Sequence, residues 1–101
     1  MTQAQIFIDK DDMKEDKPLY RFILNFLIEH EVRGATVFEG FAGFGSNHYV
    51  QRPGLFSFDE TPIVITFIDD DHKVSSVLDL LKYETHKGFI VTHSVTVWNK
   101  A

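Results

Sequence analysis

Apolar and polar positions change their period several times along this chain, and each change predicts a different element. The alternation of Ala4, Ile6 and Ile8 with their neighbours is typical of a half-buried strand. From Leu19 onward the apolar positions recur at intervals of three and four, which is typical of one face of a helix. That face consists of Leu19, Phe22, Ile23, Phe26, Leu27 and His30.

The borders of this helix have their own signals. The acidic segment Asp9–Asp16 is too polar for the core, so we expect a solvated connection there. It places Asp16 where an N-cap is needed and Pro18 in the first helical turn. We expect the helix to end near Val32–Gly34, with Gly34 as the residue just past its end.

A second strand is predicted from Ala35 to Phe41. Val37 lies on one side of it, and Thr36 and Phe38 lie on the other. The strand leads into a turn-rich segment, residues 46–60, which carries more aromatic surface than an ordinary linker needs.

The second half of the chain repeats the order of helix and strand. The β-branched run over residues 61–68 predicts a central strand buried on both faces, with Pro62 at its start. Residues 69–71 are three aspartates that begin a second helix and place negative charge at its positive end. Gly88 ends that segment, and alternation over Phe89–Trp98 predicts the last strand. The apolar face of the second helix consists of Val74, Val77, Leu78 and Leu81.

The order strand, helix, strand, strand, helix, strand predicts an α+β, ferredoxin-like βαββαβ fold. Two right-handed crossovers place both helices on one face of a four-stranded antiparallel sheet. We expect one domain over residues 1–101, with a long loop at about 46–60. The outer strands carry bulky apolar groups on their other face as well, so we expect that face to be buried against copies of the chain.

Composition narrows the classes of partner. The net charge is −5 and the basic residues are scattered, which argues against nucleic-acid binding. The absence of cysteine excludes disulfides and thiolate metal sites. The N-terminal segment lacks the pattern of a signal peptide, and no apolar run reaches membrane-spanning length. We therefore expect a cytoplasmic protein with no membrane insertion.

Three glycines, Gly40, Gly43 and Gly45, follow the second strand with the spacing Gly-x-x-Gly-x-Gly. Such a backbone can bring successive N–H groups together around an anion, which predicts a binding site. The same glycines can also form only a bulge and a tight turn. No catalytic triad order is present, and the five histidines lack metal-ligand spacing, so we predict neither catalytic nor metal-binding residues.

Gly34–Glu39, with the sequence GATVFE, followed by GFG at residues 43–45, resembles the nitrogen-regulatory PII signalling proteins. The whole chain is more similar still to the PII-like proteins of domain of unknown function 190. Features of that family are found here at Lys17–Tyr20, at Thr61–Ile65 and at Asp69.

This resemblance implies a homotrimer with a small-molecule site in each cleft between subunits. The implied ligand is an adenine nucleotide (AMP, ADP or ATP), whose binding reshapes the long loop that contacts a partner protein. Thr36 matches the residue whose hydroxyl faces the base, and Gly43–Gly45 match the turn beside the phosphates. The predicted ligand-binding residues are Thr36, Gly40, Phe41, Ala42, Gly43, Phe44, Gly45, Ser46 and Arg52.

The chain departs from the PII pattern at two places. Ser46 and Asn47 stand where PII proteins have an arginine and a polar residue, and Glu84–Gly88 is too short for their phosphate loop. A triphosphate would therefore meet fewer cations, and a mono- or diphosphate or another anionic metabolite is easier to accommodate. Arg52 either reaches a phosphate or is a solvated charge.

The leading prediction is a non-catalytic PII-like regulator, in which residues 46–60 contact a partner protein. One alternative is a small ferredoxin-like enzyme whose pocket lies between helices and sheet and uses His30 or His93. The other is a structural trimer like the copper-tolerance CutA proteins. Trp98 is expected in core or interface packing.

Overall fold

The computed structural model describes residues 1–43 and 61–99, and within them the chain forms six strands and two helices. The predicted loop at 46–60 lies outside the described residues. The strands are β1 (Thr2–Asp9), β2 (Met13–Lys14), β3 (Lys17–Pro18), β4 (Thr36–Glu39), β5 (Pro62–Asp69) and β6 (Phe89–Ser94). The helices are α1 (Leu19–Glu29) and α2 (Asp71–Leu81).

Four of the strands form one antiparallel sheet in the order β4-β5-β1-β6. Helices α1 and α2 each connect strands of this sheet and pack on the same face of it, which is the ferredoxin-like arrangement that the sequence predicts. Strands β2 and β3 form a separate two-stranded hairpin. Strand β2 lies inside the segment Asp9–Asp16 that the sequence analysis treats as a plain solvated connection, and β3 directly follows that segment.

The core lies between the sheet and the two helices. β1 and β5 each turn every second side chain inward, and both helices contribute the faces predicted from their spacing. The buried hydrophobic residues are Ala4, Ile6, Ile8, Leu19, Ile23, Phe26, Leu27, Ile63, Ile65, Phe67, Val74, Val77, Leu78 and Leu81.

The start of α1 differs from the prediction. Pro18 is the N-cap residue, with no side-chain capping hydrogen bond, so Asp16 as N-cap is wrong. The β2–β3 hairpin holds Asp16 in its turn. The N–H of Leu19 instead donates to the carbonyl of Asp12 at 2.8 Å, and this satisfies one of the helix's first donors.

The end of α1 comes before Gly34. Glu31 takes the left-handed conformation, with φ of 63°, and its N–H donates to the carbonyl of Ile28 at 3.0 Å. The N–H of Val32 donates to the carbonyl of Leu27 at 3.0 Å. This pair of hydrogen bonds is a Schellman motif, so a glutamate fills the position that the sequence analysis assigns to Gly34.

The sheet face opposite the helices is referred to below as the open face. β5 is central as predicted, but on this face Ile68 is 40% exposed, so the expectation of burial on both faces is wrong for the single chain. Trp98 is 94% exposed beyond the end of β6, which excludes the core; its packing in an interface stays a prediction. The larger apolar side chains of the open face are Phe7, Phe38, Val64, Ile68, Phe89 and Val91.

In the described part of the chain, neither helix has the length and hydropathy needed to cross a bilayer.

Candidate functional site

The glycine turn, residues Gly40–Gly43, follows edge strand β4 and packs on Pro62, the first residue of β5. The N–H of Gly40 donates to the carbonyl of Pro62 at 2.7 Å. A Cβ on Gly40 would lie 2.5 Å from Cγ of Pro62, and one on Gly43 would lie 3.0 Å from the same atom. Close packing therefore requires glycine at 40 and disfavours any side chain at 43, whether or not a ligand binds.

The turn also presents backbone to solvent. The side chain of Phe41 is fully exposed, and Ala42 is exposed beside it. Within residues 1–43 and 61–99, the N–H groups of Phe41 and Ala42 donate to no backbone carbonyl, whereas that of Gly40 is already paired. The predicted site residues Phe44, Gly45, Ser46 and Arg52 lie outside the described residues.

Thr36 stands at the other end of the same strand. It is the first residue of β4, it is exposed, and it lies opposite Thr66 in the register with β5. At about 3.3 Å per residue, Thr36 and Gly40 are roughly 13 Å apart along the strand. The structure therefore places Thr36, which matches the residue facing the base, and Gly40 at the two ends of one edge strand. Of Gly43–Gly45, which match the turn beside the phosphates, the structure describes Gly43.

A lysine and a glutamate that the sequence analysis did not select also lie at the glycine turn. Nζ of Lys10 is 3.1 Å from Oε1 of Glu39, the residue that precedes Gly40. The hydrogen bond and charge of Glu39 raise the pKa of Lys10 above its ordinary value. No local spacing links two residues so far apart in sequence, so only the pairing of the strands reveals this contact.

At the opposite end of β4, the buried carboxylate of Asp69 holds the connection that leads into the strand. Asp69 is 2% exposed. Its Oδ1 accepts from Nη2 and Nε of Arg33 at 2.9 and 3.2 Å and from the N–H of Asp70 at 2.8 Å. Its Oδ2 accepts from the N–H of Arg33 at 3.1 Å. Arg33 is thereby fixed three residues before Thr36.

The three aspartates at the start of α2 therefore have different roles. Asp70 is the N-cap residue but makes no side-chain capping bond, and Asp71 supplies the predicted acidic residue of the first turn. Asp69 serves as the acceptor for Arg33 and lies before the helix. Nζ of Lys73 adds contacts of 3.4 and 3.3 Å to the carbonyls of His30 and Glu31, at the end of α1.

The pH dependence of stability should reveal the Asp69 contact. Burial by itself raises the pKa of Asp69, but the hydrogen bonds from Asp70 and Arg33 outweigh burial and lower that pKa below its ordinary value. A carboxylate with a depressed folded-state pKa stabilises the fold above its ordinary pKa and loses this contribution as the pH falls through the folded-state value. Between pH 5 and acid conditions, wild type should therefore lose more free energy of unfolding than Asp69→Ala in urea titrations. Equal losses would contradict this assignment.

Neither of the two histidines that an enzyme site would need is buried: His30 is half-buried and His93 is exposed. Nδ1 of His30 is 2.8 Å from the carbonyl oxygen of Phe26, and the two rings stack at 4.1 Å between centroids. His93 is exposed and lies opposite Gln3, on the open face. No cluster of three potential metal ligands occurs among the residues that the structure describes.

A groove of about 390 Å³ does lie between α2 and the β6 edge of the sheet. Apolar side chains from both elements form part of it, with Asp79 and Lys82 also lining it. Of the predicted site residues that the structure describes, none lines this groove, because Thr36 lies on β4 and Gly40–Gly43 follow β4, at the opposite sheet edge.

The topology and the glycine turn on an edge strand define a ferredoxin-like protein with a candidate ligand site beside β4. Solved structures share this fold over almost the whole chain. One is CPII bound to ADP, AMP and acetate, from Thiomonas intermedia K12, with a TM-score of 0.66 and 20% identity over 97% of this chain and 88% of that one. Another is CPII, a nitrogen regulatory PII-like protein bound to ADP, AMP and bicarbonate, with a TM-score of 0.66 and 19% identity over 95% and 92% of the chains.

The chain belongs to the family DUF190, described as Uncharacterized ACR, COG1993, which matches residues 1–97. A UPF0166 protein of Aquifex aeolicus (strain VF5) is 33% identical over 92% of this chain and 89% of its own length. The UPF0166 protein MJ1524 of Methanocaldococcus jannaschii is 28% identical over 83% of this chain and 77% of its own length. The predicted family membership is thus confirmed.

Proposed function

We propose that this protein is a non-catalytic, cytoplasmic PII-like regulator that binds an adenine nucleotide, or a similar anionic metabolite, at clefts between the subunits of a homotrimer. The observation that carries the proposal is the placement of Thr36 and the glycine turn at the two ends of one edge strand. Their separation of roughly 13 Å suits a nucleotide better than a small inorganic ion. CPII, which shares the fold, binds ADP and AMP.

The glycine turn is the part of this site that meets the phosphates. The N–H groups of Phe41 and Ala42, which donate to no backbone carbonyl within residues 1–43 and 61–99, would bind phosphate oxygens, as successive amides do in other anion-binding concavities. A ligand bound to Gly43–Gly45 also touches the start of the segment 46–60. It acts as a switch only if it binds more tightly to one arrangement of that segment than to another. Residues 46–60 would then contact a partner protein in one arrangement.

The open face supports assembly from several copies. Phe38 and Phe89 are 58% and 61% exposed in the single chain, and the ring of Phe89 stacks on Phe7 at 4.9 Å between centroids. Apolar surface of this kind is usually covered by another protein surface. In a trimer the open faces would cover one another, and each β4 would lie beside a neighbouring subunit.

Thermal melting with and without AMP, ADP and ATP tests the proposal. A nucleotide at 100 times its dissociation constant adds about 2.7 kcal/mol to the free energy of unfolding. For a domain of this size, that corresponds to a rise in melting temperature on the order of 10 °C. We expect such a rise with AMP or ADP. If all three nucleotides leave the melting temperature unchanged, the proposed ligand is wrong.

Paired threonine variants locate the binding. Thr36→Val removes the hydroxyl matched to the base and keeps the β-branched shape, so we expect roughly fivefold weaker nucleotide binding. Thr92→Val makes the same change on the other edge strand, β6, and should leave the affinity unchanged. Sedimentation velocity on the same samples establishes whether three chains associate. A stable trimer that binds no nucleotide would instead favour the structural alternative.

A further inference from the structure

The backbone of Lys10 is hydrogen-bonded to the segment at the start of β5, on which the glycine turn packs. Its N–H donates to the carbonyl of Thr61 at 2.9 Å, and Thr61 directly precedes Pro62. Gly40 and Gly43 both pack against the ring of Pro62. Lys10, which directly follows β1, therefore lies at the start of β5, beside the glycine turn.

The ion pair of Lys10 with Glu39 is easily exchanged. The two side chains are 48% and 53% exposed, and their closest charged atoms are 3.1 Å apart. Exposed pairs of this kind contribute little to stability, and a lysine carries its charge on a long flexible stem. Glu39 immediately precedes Gly40, so without Lys10 its carboxylate would repel an anion at the turn.

Several other cations of the described residues are held by groups away from the turn. Arg33 makes two side-chain hydrogen bonds to the buried carboxylate of Asp69. Nζ of Lys14 donates to the carbonyl of Glu84 at 2.6 Å, and Nζ of Lys87 donates to a carbonyl of β2 at 2.9 Å. Lys10 is the cation whose backbone and side chain both contact residues adjoining the turn.

We propose that Lys10 is a phosphate-binding residue of this site, and that Glu39 holds it in place until the ligand arrives. This inference rests on the proposed function and specifies its ligand further. On binding, Nζ of Lys10 leaves Glu39 for a phosphate oxygen and forms a charge-assisted hydrogen bond there. Among the described residues, Lys10 supplies one positive charge beside the turn, and one charge neutralises a mono- or diphosphate more fully than a triphosphate.

Titration calorimetry with ADP and with adenosine separates the role of Lys10 from the rest of the site. We expect Lys10→Gln to weaken ADP binding roughly five- to tenfold, because one charge-assisted contact is lost. Glu39→Gln should strengthen ADP binding roughly two- to fivefold, because a competing carboxylate is removed. Adenosine carries no phosphate, so neither change should alter its affinity. Lys10→Arg should retain most of the affinity for ADP.

Lys14→Gln and Glu84→Gln are matched controls, since they make the same charge changes at an ion pair of 3.8 Å between the hairpin and the segment after α2. They should leave ADP affinity unchanged. If wild type binds ADP and Lys10→Gln binds it equally well, the role of Lys10 is wrong and the proposed function stands. The role of Lys10 is also wrong if Lys10→Gln and Glu39→Gln change the affinity for ADP in the same direction. If wild type binds neither ADP nor adenosine, the proposed function itself is wrong, and the phosphate-binding role of Lys10, which rests on it, is wrong as well.

Discussion

Gly88→Ala is expected to lower the free energy of unfolding by about 3–5 kcal/mol, a large part of the stability of a small domain. Gly88 has φ of +73°, where a side chain is strained. A Cβ there would lie 2.2 Å from the carbonyl oxygen of Phe7 and 2.6 Å from Cγ2 of Ile8. Both residues belong to β1, which is paired on both sides and has little room to shift. Urea unfolding followed by circular dichroism measures the loss.

Gly34→Ala is the control for this experiment. A Cβ on Gly34 would meet nothing within 4 Å. Since alanine reduces the freedom of the unfolded chain, this variant should match wild type or gain up to about 1 kcal/mol. A Gly88→Ala protein that unfolds at the same urea concentration as Gly34→Ala would show that the approach of Gly88 to β1 is not required.

Asp69→Ala is expected to lower the free energy of unfolding by about 2–4 kcal/mol, because it removes the acceptor of four hydrogen bonds in a nearly water-free position. The N–H groups of Arg33 and Asp70 would both lose their partner. The effect should reach β4 as well, and hydrogen exchange should quicken at the amides of residues 34–39.

Asp70→Ala is the matched control, because Asp70 contacts the same guanidinium at 3.2 Å but its side chain is 73% exposed. Exposed ion pairs contribute little, so this variant should remain close to wild type in both stability and exchange. Equal effects of the two substitutions would mean that burial of the Asp69 carboxylate does not set the strength of the contact.

The periodicity of apolar residues was sufficient to predict that the four strands of the main sheet and the two helices exist, and in which order they follow. The faces of α1 and α2 follow directly from the intervals of three and four, because a helix buries one stripe of side chains. Element borders were less predictable. Asp16 and Gly34 are favourable residues for a cap and a helix end, but the β2–β3 hairpin and the left-handed Glu31 set those borders through longer-range backbone hydrogen bonds.

The candidate site was predicted in part. The glycine spacing led to the turn, and the structure adds a reason for it that the spacing alone did not distinguish, namely packing on Pro62. Thr36 entered only through the family resemblance. Lys10 carried no signal, because its neighbours at the turn come from other strands. The ligand-binding roles of all the predicted site residues stay predictions, and Phe44, Gly45, Ser46 and Arg52 also lie outside the described residues.

By itself, the sequence determined which residues face the core and in which order helices and strands follow, since both depend on local periods of two and 3.6 residues. It also carried the motifs that assign the chain to its family. Only the tertiary structure decided that the buried Asp69 anchors Arg33 at one end of β4 and that Lys10 pairs with Glu39 at the other. These contacts join residues dozens of positions apart, and a charge's role depends on burial and neighbours that no local pattern specifies.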